Sequence, residues 1–489
     1  MQTRNFVIIT QKSAYPQMGA LYLANALMSC GIRTHIISSN ASNKELDILI
    51  ERVDPIAVGC SVMTAPEIVD FVRHSMHVQH QYNSKKKTMP IIWGGMHSTI
   101  MPDQTAREPY IDFVVAGEAE VTLPRILLNL ADGKSPSEKL VRVRTPAVLD
   151  TFEPQWEAID LADYVFPESR SVHADVDFQK QNVFYYLLSS RGCTYKCNFC
   201  WEVARTEALR LENPDGDLSW RAHSAEWVER QIDYVACELR NRGVTMDGVG
   251  LWDDMIFGRG SLGHTKRARC IFTMMRARKF GYLLEARANQ LISTTDKWND
   301  AGVLREADLY KFLKETGCMQ VFVGTESGSQ ETLNMIQKGT RVSDYMRLVA
   351  ISREVKLPLR FSMIVGFPQE TENSINATLD LIEHLEGEPY ISISGPKLFT
   401  PYPGTPQYVA AVNAGMKVPQ VTLDWARLNR YTDYRHIFPW LEKNHSKKTL
   451  NRIDAFFAKV SEEKRHQADE GEIQALASEE AILKIVREH

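Results

Sequence analysis

Short apolar runs alternate with amphipathic segments over the first 130 residues of the chain. The runs are typical of buried parallel strands, and they lie at residues 6–9, 35–37, 57–60, 91–93 and 112–115. The segments between them have helical spacing, as in 18–30, which stops at Gly31, and 65–77, which begins behind Thr64 as a candidate N-cap. Five such units predict a doubly wound, Rossmann-like α/β sheet.

A second alternating stretch follows between residues 181 and 405. Its apolar runs predict strands at 184–190, 248–252, 282–288, 321–324, 359–364 and 391–394. Helices of ordinary length separate them, for example 223–241 and 373–385. Six consecutive βα units predict a partial (β/α)6 parallel barrel, whose chemistry is expected at the carboxyl ends of the strands.

The remaining segments lack this alternation. Residues 131–180 have no sustained period and carry prolines and charges, which favours a linker. After Gly404 the pattern becomes helical without strands, with apolar faces formed by Leu450, Ile453, Phe457 and Val460 and then by Ile473, Leu476, Leu483 and Val486. We therefore predict an N-terminal α/β domain at 1–145, a linker at 146–180, a barrel at 181–405 and a C-terminal helical region at 406–489.

Composition narrows the class of partner. The 489 residues are 44% hydrophobic and 24% charged, and the net charge of -4 offers no basic excess for binding a nucleic acid backbone. We therefore expect a small-molecule or peptide substrate. The N-terminus lacks a signal-peptide pattern, and no run of about 18 apolar residues could span a bilayer. These features favour a cytoplasmic protein that is not embedded in a membrane.

The candidate chemistry begins with three clustered cysteines. Cys193, Cys197 and Cys200 lie in SSRGCTYKCNFCW, directly after a predicted strand, whereas the other five of the eight cysteines are scattered. Three thiolates on one short loop can bind a four-iron, four-sulfur (4Fe-4S) cluster and leave one iron open to another molecule. A structural zinc site is the alternative, but zinc needs four ligands and no fourth Cys or His lies nearby. Simple packing of the cysteines is a third interpretation.

The C-x3-C-x2-C spacing, with Phe199 before the last cysteine, resembles the signature loop of the radical S-adenosylmethionine (radical SAM) superfamily. In that family the open iron binds S-adenosylmethionine, and the aromatic residue packs near its adenine. The resemblance implies a 4Fe-4S cluster, reductive cleavage of S-adenosylmethionine to a 5′-deoxyadenosyl radical, and an external electron donor of the flavodoxin or ferredoxin type.

Residues at three later strand ends extend this resemblance. Asp253 and Asp254 end the second barrel strand, and the family often has an acid there that accepts the methionine amino group. Arg287 ends the third strand. Glu326, followed by Ser327, resembles the family residue that holds the ribose hydroxyls. The resemblance thus implies binding of S-adenosylmethionine by these residues, while a helix N-cap for the two aspartates and a surface position for Glu326 remain alternatives.

Four motifs in the first domain resemble the cobalamin-binding domain of cobalamin-dependent radical SAM enzymes. They are GALYLANAL at 19–27, DPIAVGCSVMT at 54–64, IIWGGMHST at 91–99 and DFVVAGEAE at 112–120. The implied cobalamin contacts are Ser61, Val62, Met63, Thr64, Gly94, Gly95, His97, Gly117 and Glu118. His97 has loop capping as its alternative role, and the glycines have turns.

The cobalt environment departs from the other well-known cobalamin pattern. The motif Asp-x-His-x-x-Gly is absent after the first strand, where TQKSAYPQMG stands instead. We therefore predict no histidine ligand from below. The resemblance implies that the loop 61–64 meets the lower face, with Val62 or Met63 covering the cobalt.

The resemblance extends over residues 5–410 and implies a cobalamin-dependent radical SAM methyltransferase. Such an enzyme methylates a carbon of a small molecule or natural-product intermediate through a 5′-deoxyadenosyl radical and methylcobalamin. The alternative is a radical ring formation, ring contraction or rearrangement without methyl transfer. A sensor or carrier without enzymatic activity is a third reading, which predicts bound cofactor but no cleavage of S-adenosylmethionine.

Overall fold

The computed structural model of the chain describes residues 4–13, 15–82, 89–144, 146–167, 182–214, 216, 218–258, 262–292, 306–427 and 438–467. None of the helices in these ranges has the length and apolar character needed to cross a membrane.

The N-terminal part is a parallel sheet of six strands in the order β2-β1-β3-β4-β5-β6. The strands are β1 Arg4–Thr10, β2 Ile32–Ser38, β3 Val58–Ser61, β4 Ile91–Gly94, β5 Phe113–Ala116 and β6 Leu140–Arg142. The helices are α1 Met18–Met28, α2 Asn43–Val53, α3 Ile68–Tyr82, α4 Gly95–Ile100, α5 Pro102–Arg107 and α6 Thr122–Ala131. Since the strand order reverses beside β1, the crevice at the carboxyl ends of β1 and β3 suits a ligand.

The sixth strand is a correction to the predicted linker, because the pattern indicated only five strands. β6 has three residues, of which none is fully buried, and it pairs with β5 at the edge of the sheet. So short an edge strand leaves no recognisable apolar run in the sequence.

The second sheet is an open half-barrel with the strand order β15-β14-β13-β12-β11-β8-β7. Its strands are β7 Val165–Pro167, β8 Asn182–Leu187, β11 Gly248–Leu251, β12 Gly281–Arg287, β13 Cys318–Glu326, β14 Leu359–Val365 and β15 Ile391–Leu398. Six of them are parallel, as predicted, and β7 runs antiparallel to β8. Around them lie α7 Trp201–Glu212, α8 Ala225–Asn241, α9 Leu262–Arg278, α10 Ala288–Ile292, α11 Glu306–Glu315, α12 Gln330–Met335, α13 Val342–Val355, α14 Glu372–Leu385 and α15 Pro406–Asn413.

The predicted strand at 184–190 is in fact divided. After β8 ends at Leu187, β9 Ser190–Gly192 pairs antiparallel with β10 Trp220–Ala222. In this small two-stranded sheet, β9 leads the chain out of the barrel wall and into the cysteine loop, and β10 returns after α7.

The C-terminal part continues as helices α16 Pro439–Asn444 and α17 Lys447–Gln467. Helix α17 packs on α14 and β15, and α16 packs on α17. Leu450, Ile453 and Phe457 of the predicted apolar face are buried. The side chain of Val460 and the whole second predicted face, 473–486, lie outside the described residues.

Before these helices, a 3-10 turn at Thr422–Arg427 returns to the N-terminal sheet. The Thr422 amide donates a 2.6 Å hydrogen bond to Glu108, and the indole of the buried Trp425 donates one of 2.7 Å to Gln104. The C-terminal segment therefore ties the barrel back to the first domain.

We predict that Trp425→Ala destabilises the protein by about 3–5 kcal/mol, since it empties a fully buried site and breaks the hydrogen bond to Gln104. Urea unfolding followed by circular dichroism measures the loss. Val421→Ala is the matched control, because Val421 is 47% exposed in the same segment and its loss should change stability little. Equal effects of the two substitutions would show that the segment does not brace the fold.

Candidate active site

The cysteine loop lies at the carboxyl end of the half-barrel, between β9 and α7. Cys193 follows β9 directly, and Cys200 is the N-cap residue of α7. Gly192 allows this entry, because its φ of +90° favours glycine and an added Cβ would lie 2.3 Å from the Ser219 carbonyl oxygen. All three cysteines of the loop are free thiols.

Other elements clamp the loop from its open side. Asn198 donates from its backbone amide to the Ile336 carbonyl at 3.1 Å and from its side chain to the Met335 carbonyl at 2.8 Å. Arg287, at the end of β12, lies 2.9 Å from the Cys197 sulfur and covers the Tyr195 ring at 3.8 Å. Arg287 thus holds the cysteine loop itself, in addition to any contact with a ligand.

Burial changes the acidity of the thiols. It raises the pKa of Cys193 to about 11 and the pKa of Cys200 well above its usual value. Without a ligand, the Cys193 and Cys200 thiols are therefore protonated at neutral pH, and binding of these two to iron would release their protons. Among the described residues, no three His, Cys, Asp or Glu side chains surround one point as ligands of a single metal ion. A 4Fe-4S cluster does not need such a point, because each thiolate binds a different iron.

The two neighbouring aspartates have different surroundings. Asp253 is fully buried and accepts hydrogen bonds of 2.5–3.0 Å from the hydroxyls of Ser189 and Ser190. Asp254 has an exposed side chain, yet desolvation by the surrounding protein and the charge of Glu202 raise its pKa well above the usual value. Neither caps a helix, since residues 254–257 form a turn and α9 begins at Leu262. Asp254 is thus the member of the pair that is open to a ligand.

Glu326 ends β13 in a left-handed conformation with a φ of +68°. The side chain is 10% exposed, so the alternative of a surface carboxylate is wrong. One oxygen accepts a 2.6 Å bond from Lys338, and the other accepts a 2.9 Å bond from the Ser362 hydroxyl. These two donors orient the carboxylate towards the barrel mouth.

The neighbours of Glu326 face a helix. The Ser327 hydroxyl lies 2.8 Å from the Thr378 hydroxyl of α14 and is completely buried. A Cβ on Gly328 would lie 2.4 Å from the Ala377 carbonyl oxygen of the same helix. These residues bring the strand end against α14. Phe199 of the cysteine loop, in turn, packs edge-on against Phe367 at 5.6 Å between ring centroids.

The loops after β3 and β4 of the first sheet are locked together. Val62 donates to the Gly94 carbonyl at 3.0 Å and accepts from the His97 amide at 2.9 Å. A Cβ on Gly95, whose φ is +87°, would lie 2.7 Å from the Val62 nitrogen. Val62 is fully buried, whereas Met63 is 39% exposed. Of the two residues expected below the cobalt, only Met63 has a free side chain.

His97 is enclosed between Thr64 and the C-terminal segment. Its Nδ1 lies 3.0 Å from the Thr64 hydroxyl, and its ring meets the Trp425 ring edge-on at 6.0 Å. The imidazole is completely buried, its Nε2 has no hydrogen-bond partner among the residues that the structure describes, and burial lowers its pKa to about 4. The neutral imidazole thus connects α4 to the loop that carries Thr64 and to the C-terminal segment that carries Trp425. Thr64 therefore pairs with His97 and is not the predicted N-cap of α3, which begins at Ile68.

Gly117 and Glu118 follow β5 and face the barrel. Gly117 has a φ of +114°, and its added Cβ would lie 2.9 Å from the Val143 side chain. Glu118 lies among three arginines of the barrel domain, at 3.6 Å from Arg191, 3.9 Å from Arg205 and in direct contact with Arg221. We call these four residues the interdomain ion network.

The interdomain ion network brackets the cysteine loop. Arg191 comes two residues before Cys193, and Arg205 is in the helix that begins after Cys200. Arg191 also pairs with Glu120 at 2.8 Å and lies 4.6 Å from the centre of the Tyr22 ring. The carboxyl ends of the two sheets therefore meet at this loop.

Burial alone would raise the pKa of Glu118, but the charges of Arg191, Arg221 and Arg205 outweigh it and hold the pKa below its usual value. The side chains of the interdomain ion network are only 11–18% exposed, so solvent screens these charges weakly. Removing one partner would leave buried charges without compensation.

Several residues of this region carried no signal in the sequence. Arg205, Arg221 and Lys338 are ordinary cations when read along the chain, and only the fold brings them to Glu118 and Glu326. Arg191 could have been found, since it stands inside the cysteine motif SSRGC.

Comparison with known families assigns two parts of the chain. Residues 4–127 match the B12 binding domain. Residues 285–382 match the Radical SAM superfamily. These matches fall on the first sheet and on the second half of the half-barrel, respectively.

Two curated relatives illustrate the range of similar proteins. An uncharacterized methyltransferase of Pyrococcus horikoshii is 24% identical over 435 residues, which cover 88% of this chain and 84% of the relative. The anaerobic magnesium-protoporphyrin IX monomethyl ester cyclase of Rubrivivax gelatinosus is 21% identical over 415 residues, which cover 80% of this chain and 65% of the relative.

Two solved structures share the fold. The cobalamin-dependent S-adenosylmethionine radical enzyme OxsB with aqua-cobalamin bound has a TM-score of 0.60 at 16% identity and covers 80% of this chain. The chain spans 54% of OxsB. The radical S-adenosylmethionine methyltransferase TsrM from Kitasatospora setae, with tryptophan substrate and a SAM analog bound, has a TM-score of 0.56 at 18% identity and covers 85% of this chain and 77% of TsrM.

We predict that Glu118→Gln lowers the free energy of unfolding by about 3–5 kcal/mol, because three buried arginines lose their shared negative charge. Urea unfolding at pH 7 measures the change. Since the folded-state pKa of Glu118 is depressed, the wild-type advantage is present at pH 7 and shrinks as the pH falls from 4.5 through that lower pKa.

Asp103→Asn is the matched control for this prediction. Asp103 pairs with Arg142 at 2.9 Å in the same domain, but its side chain is 68% exposed, so its loss should cost at most about 1 kcal/mol. A Glu118→Gln effect no larger than that of Asp103→Asn would exclude a bracing role of the interdomain ion network.

Proposed function

We propose that this chain, a cobalamin-dependent radical SAM enzyme with a B12-binding domain before a radical SAM half-barrel, is a methyltransferase that acts on a carbon of a small molecule. Its two domain families imply cobalamin, S-adenosylmethionine and a 4Fe-4S cluster. Between them, these groups supply a carbon-centred radical on the substrate and a methyl group to quench it.

One observation carries the proposal: the interdomain ion network joins the carboxyl ends of the two sheets across the cysteine loop. Methyl transfer to a substrate radical requires that the radical source and the methyl source flank one carbon. A buried network of charges that sets the distance between the two domains supports such a reaction, because a small displacement would separate the reacting atoms.

The cysteine loop fits the cluster by its chemistry. The three free thiols of Cys193, Cys197 and Cys200 lie on one loop. They are close enough that a charge on Cys197 raises the pKa of both Cys193 and Cys200. Arg287 beside the Cys197 sulfur and the amides around the loop would stabilise the negative charge of thiolates bound to iron. We therefore assign these three cysteines as the cluster ligands.

For S-adenosylmethionine we assign Asp254 to the amino group. Its carboxylate is accessible and lies near the cysteine loop, because its charge raises the pKa of Cys193 and Cys200. Arg287 is placed to pair with the carboxylate, and Glu326 to accept the ribose hydroxyls with its remaining lone pairs. Phe199 would bound the adenine. Asp253 and Ser327 support the residues that contact the ligand, since both are buried and already hydrogen-bonded within the protein.

For cobalamin we assign the crevice bounded by the loops 61–64 and 94–97. Gly94 opens α4 without a side chain, which suits close approach of the nucleotide tail, and Met63 is exposed where the lower face would lie. Ser61, Val62, Thr64, Gly95, His97 and Gly117 shape these loops from within, and Glu118 acts through the interdomain ion network. The His97 imidazole is completely buried and packs edge-on against Trp425, which argues against a histidine ligand to cobalt.

The relatives favour methyl transfer and leave one alternative. A methyltransferase of Pyrococcus horikoshii and TsrM support the proposal. The cyclase of Rubrivivax gelatinosus supports ring formation or rearrangement without methyl transfer as the second candidate. The reactions differ in whether the methyl group of S-adenosylmethionine reaches the cobalamin.

The experiment is an anaerobic incubation of the reconstituted enzyme with cobalamin, a strong chemical reductant and methyl-labelled S-adenosylmethionine. We expect 5′-deoxyadenosine together with label in the cobalamin fraction. Deoxyadenosine without labelled cobalamin would favour the second candidate. The absence of both products would contradict both candidate functions.

We predict that Cys197→Ala abolishes deoxyadenosine formation but leaves cobalamin bound, because the cluster loses one of its three protein ligands. The cobalamin absorbance of the purified variant checks the second half of this statement. The scattered, exposed Cys237 provides the control, and Cys237→Ala should retain the activity. Radical cleavage by Cys197→Ala would refute the cluster assignment.

We predict that Glu326→Gln weakens binding of S-adenosylmethionine about tenfold or more while the cluster still assembles, because a hydrogen-bonding carboxylate is lost at the ribose. Equilibrium binding to the reconstituted variant, with iron content measured alongside, gives the answer. Unchanged affinity would remove Glu326 from the site.

A further inference from the structure

The half-barrel contains a layer of side chains that none of the sites above uses. Across the sheet, Glu285 pairs with Phe322, and Phe322 pairs with Arg360. Their neighbours along the strands belong to the core beneath the helices, namely Leu284, Ala286, Val321, Val323, Leu359 and Phe361. Because side chains alternate along a strand, Glu285, Phe322 and Arg360 face the barrel interior.

Trp252 completes this layer. It follows β11 directly, and its ring meets the Phe322 ring edge-on at 6.0 Å between centroids. We call Trp252, Glu285, Phe322 and Arg360 the interior layer. On the three strands that carry them, Arg287, Gly324 and Ser362 stand two residues later, so the interior layer lies about 7 Å beneath the barrel mouth.

The polar groups of the interior layer lack partners. The Trp252 indole nitrogen and the Arg360 Nε are buried and have no hydrogen-bond partner among the described residues. Glu285, which is half-buried, and Arg360 form no hydrogen bond or ion pair with any other residue that the structure describes. Buried polar groups in proteins are almost always paired. Two buried nitrogens without partners, close to an unpaired carboxylate, are therefore typical of a surface that a ligand covers.

The charges around Glu285 are mixed. Burial raises the pKa of Glu285 to about 7, with Lys397 opposing and Glu326 and Asp253 adding to the rise. Lys397 also lies 5.9 Å from the centre of the Phe322 ring. A ligand cation beside Glu285 would favour its ionised form. Arg360, two strand spacings away or about 10 Å between Cα atoms, offers a guanidinium for an anion.

We propose that the interior layer binds the substrate and that this substrate carries a protonated nitrogen and a carboxylate on a flat apolar body, as an aromatic amino acid does. Glu285 pairs with the protonated nitrogen, and Arg360 forms a bidentate ion pair with the carboxylate. The flat body lies against Phe322 and Trp252. The inference rests on the proposed function, because it names the substrate class of the same site.

The test uses three matched probes: phenylalanine, phenethylamine, which lacks the carboxylate, and 3-phenylpropionate, which lacks the amine. Calorimetric titration into the reconstituted full-length protein, loaded with cluster and cobalamin, gives three dissociation constants. We expect phenylalanine to bind about tenfold or more tightly than either fragment. Equal binding of the three probes, or binding of none, would overturn the proposal.

Two variants locate the effect. Glu285→Gln should remove the preference for phenylalanine over 3-phenylpropionate, and Arg360→Gln should remove the preference over phenethylamine. Arg353→Gln is the matched control, because Arg353 is a 55% exposed residue of α13 that pairs with Glu388. Iron content and thermal midpoint establish that each variant is folded. Retention of both preferences in the two variants would place the ligand elsewhere.

Binding and turnover separate this inference from the proposed function. Selective binding of phenylalanine without labelled cobalamin would support substrate binding by the interior layer and reject methyl transfer. Labelled cobalamin and deoxyadenosine without selective binding would support methyl transfer and reject substrate binding by the interior layer.

Discussion

The rest of the structure depends on the carboxylate of Glu118, which three arginines of the barrel domain surround at the carboxyl ends of both sheets. Because these side chains are largely buried, each needs the others for compensation of its charge. Arg191 and Arg205 flank the cysteine loop in sequence. The network therefore sets the position of the cysteine loop relative to the loops of the first domain, and this is the distance on which the proposed reaction between two cofactors would depend.

Accessibility divides the residues around the site into two groups. Asp253, Ser327, Val62 and His97 are buried and hydrogen-bonded within the protein, so they hold strands and loops in place. Asp254 and Met63 stand directly beside members of the first group in sequence, yet their side chains remain open. In each pair the buried residue fixes the backbone position of its neighbour, so that the neighbour's side chain is held in place and stays accessible to a ligand.

The C-terminal segment contributes to the same arrangement. Trp425 packs against His97 and donates to Gln104, which ties the end of the barrel chain to α4 and α5 of the first domain. The domains are thus joined by aromatic packing and hydrogen bonds of the C-terminal segment as well as by the interdomain ion network. The interior layer of the half-barrel differs, since its buried Trp252 and Arg360 nitrogens have no hydrogen-bond partner in the part of the chain that the structure describes.

The sequence by itself determined the order of the βα units, the cysteine loop and the strand ends that carry Asp254, Arg287 and Glu326. These features depend on periodicity and spacing within a few residues, which remain legible along the chain. The sixth strand of the first sheet escaped detection because three edge residues show no period. Only the tertiary structure decided that Asp253 and Asp254 have different surroundings, that Glu118 meets three arginines more than 70 residues away in the chain, and that Glu285 and Arg360 share one layer. The reason is physical: burial, compensation of charge and alignment of strands arise between segments that are distant in sequence, so no local pattern records them.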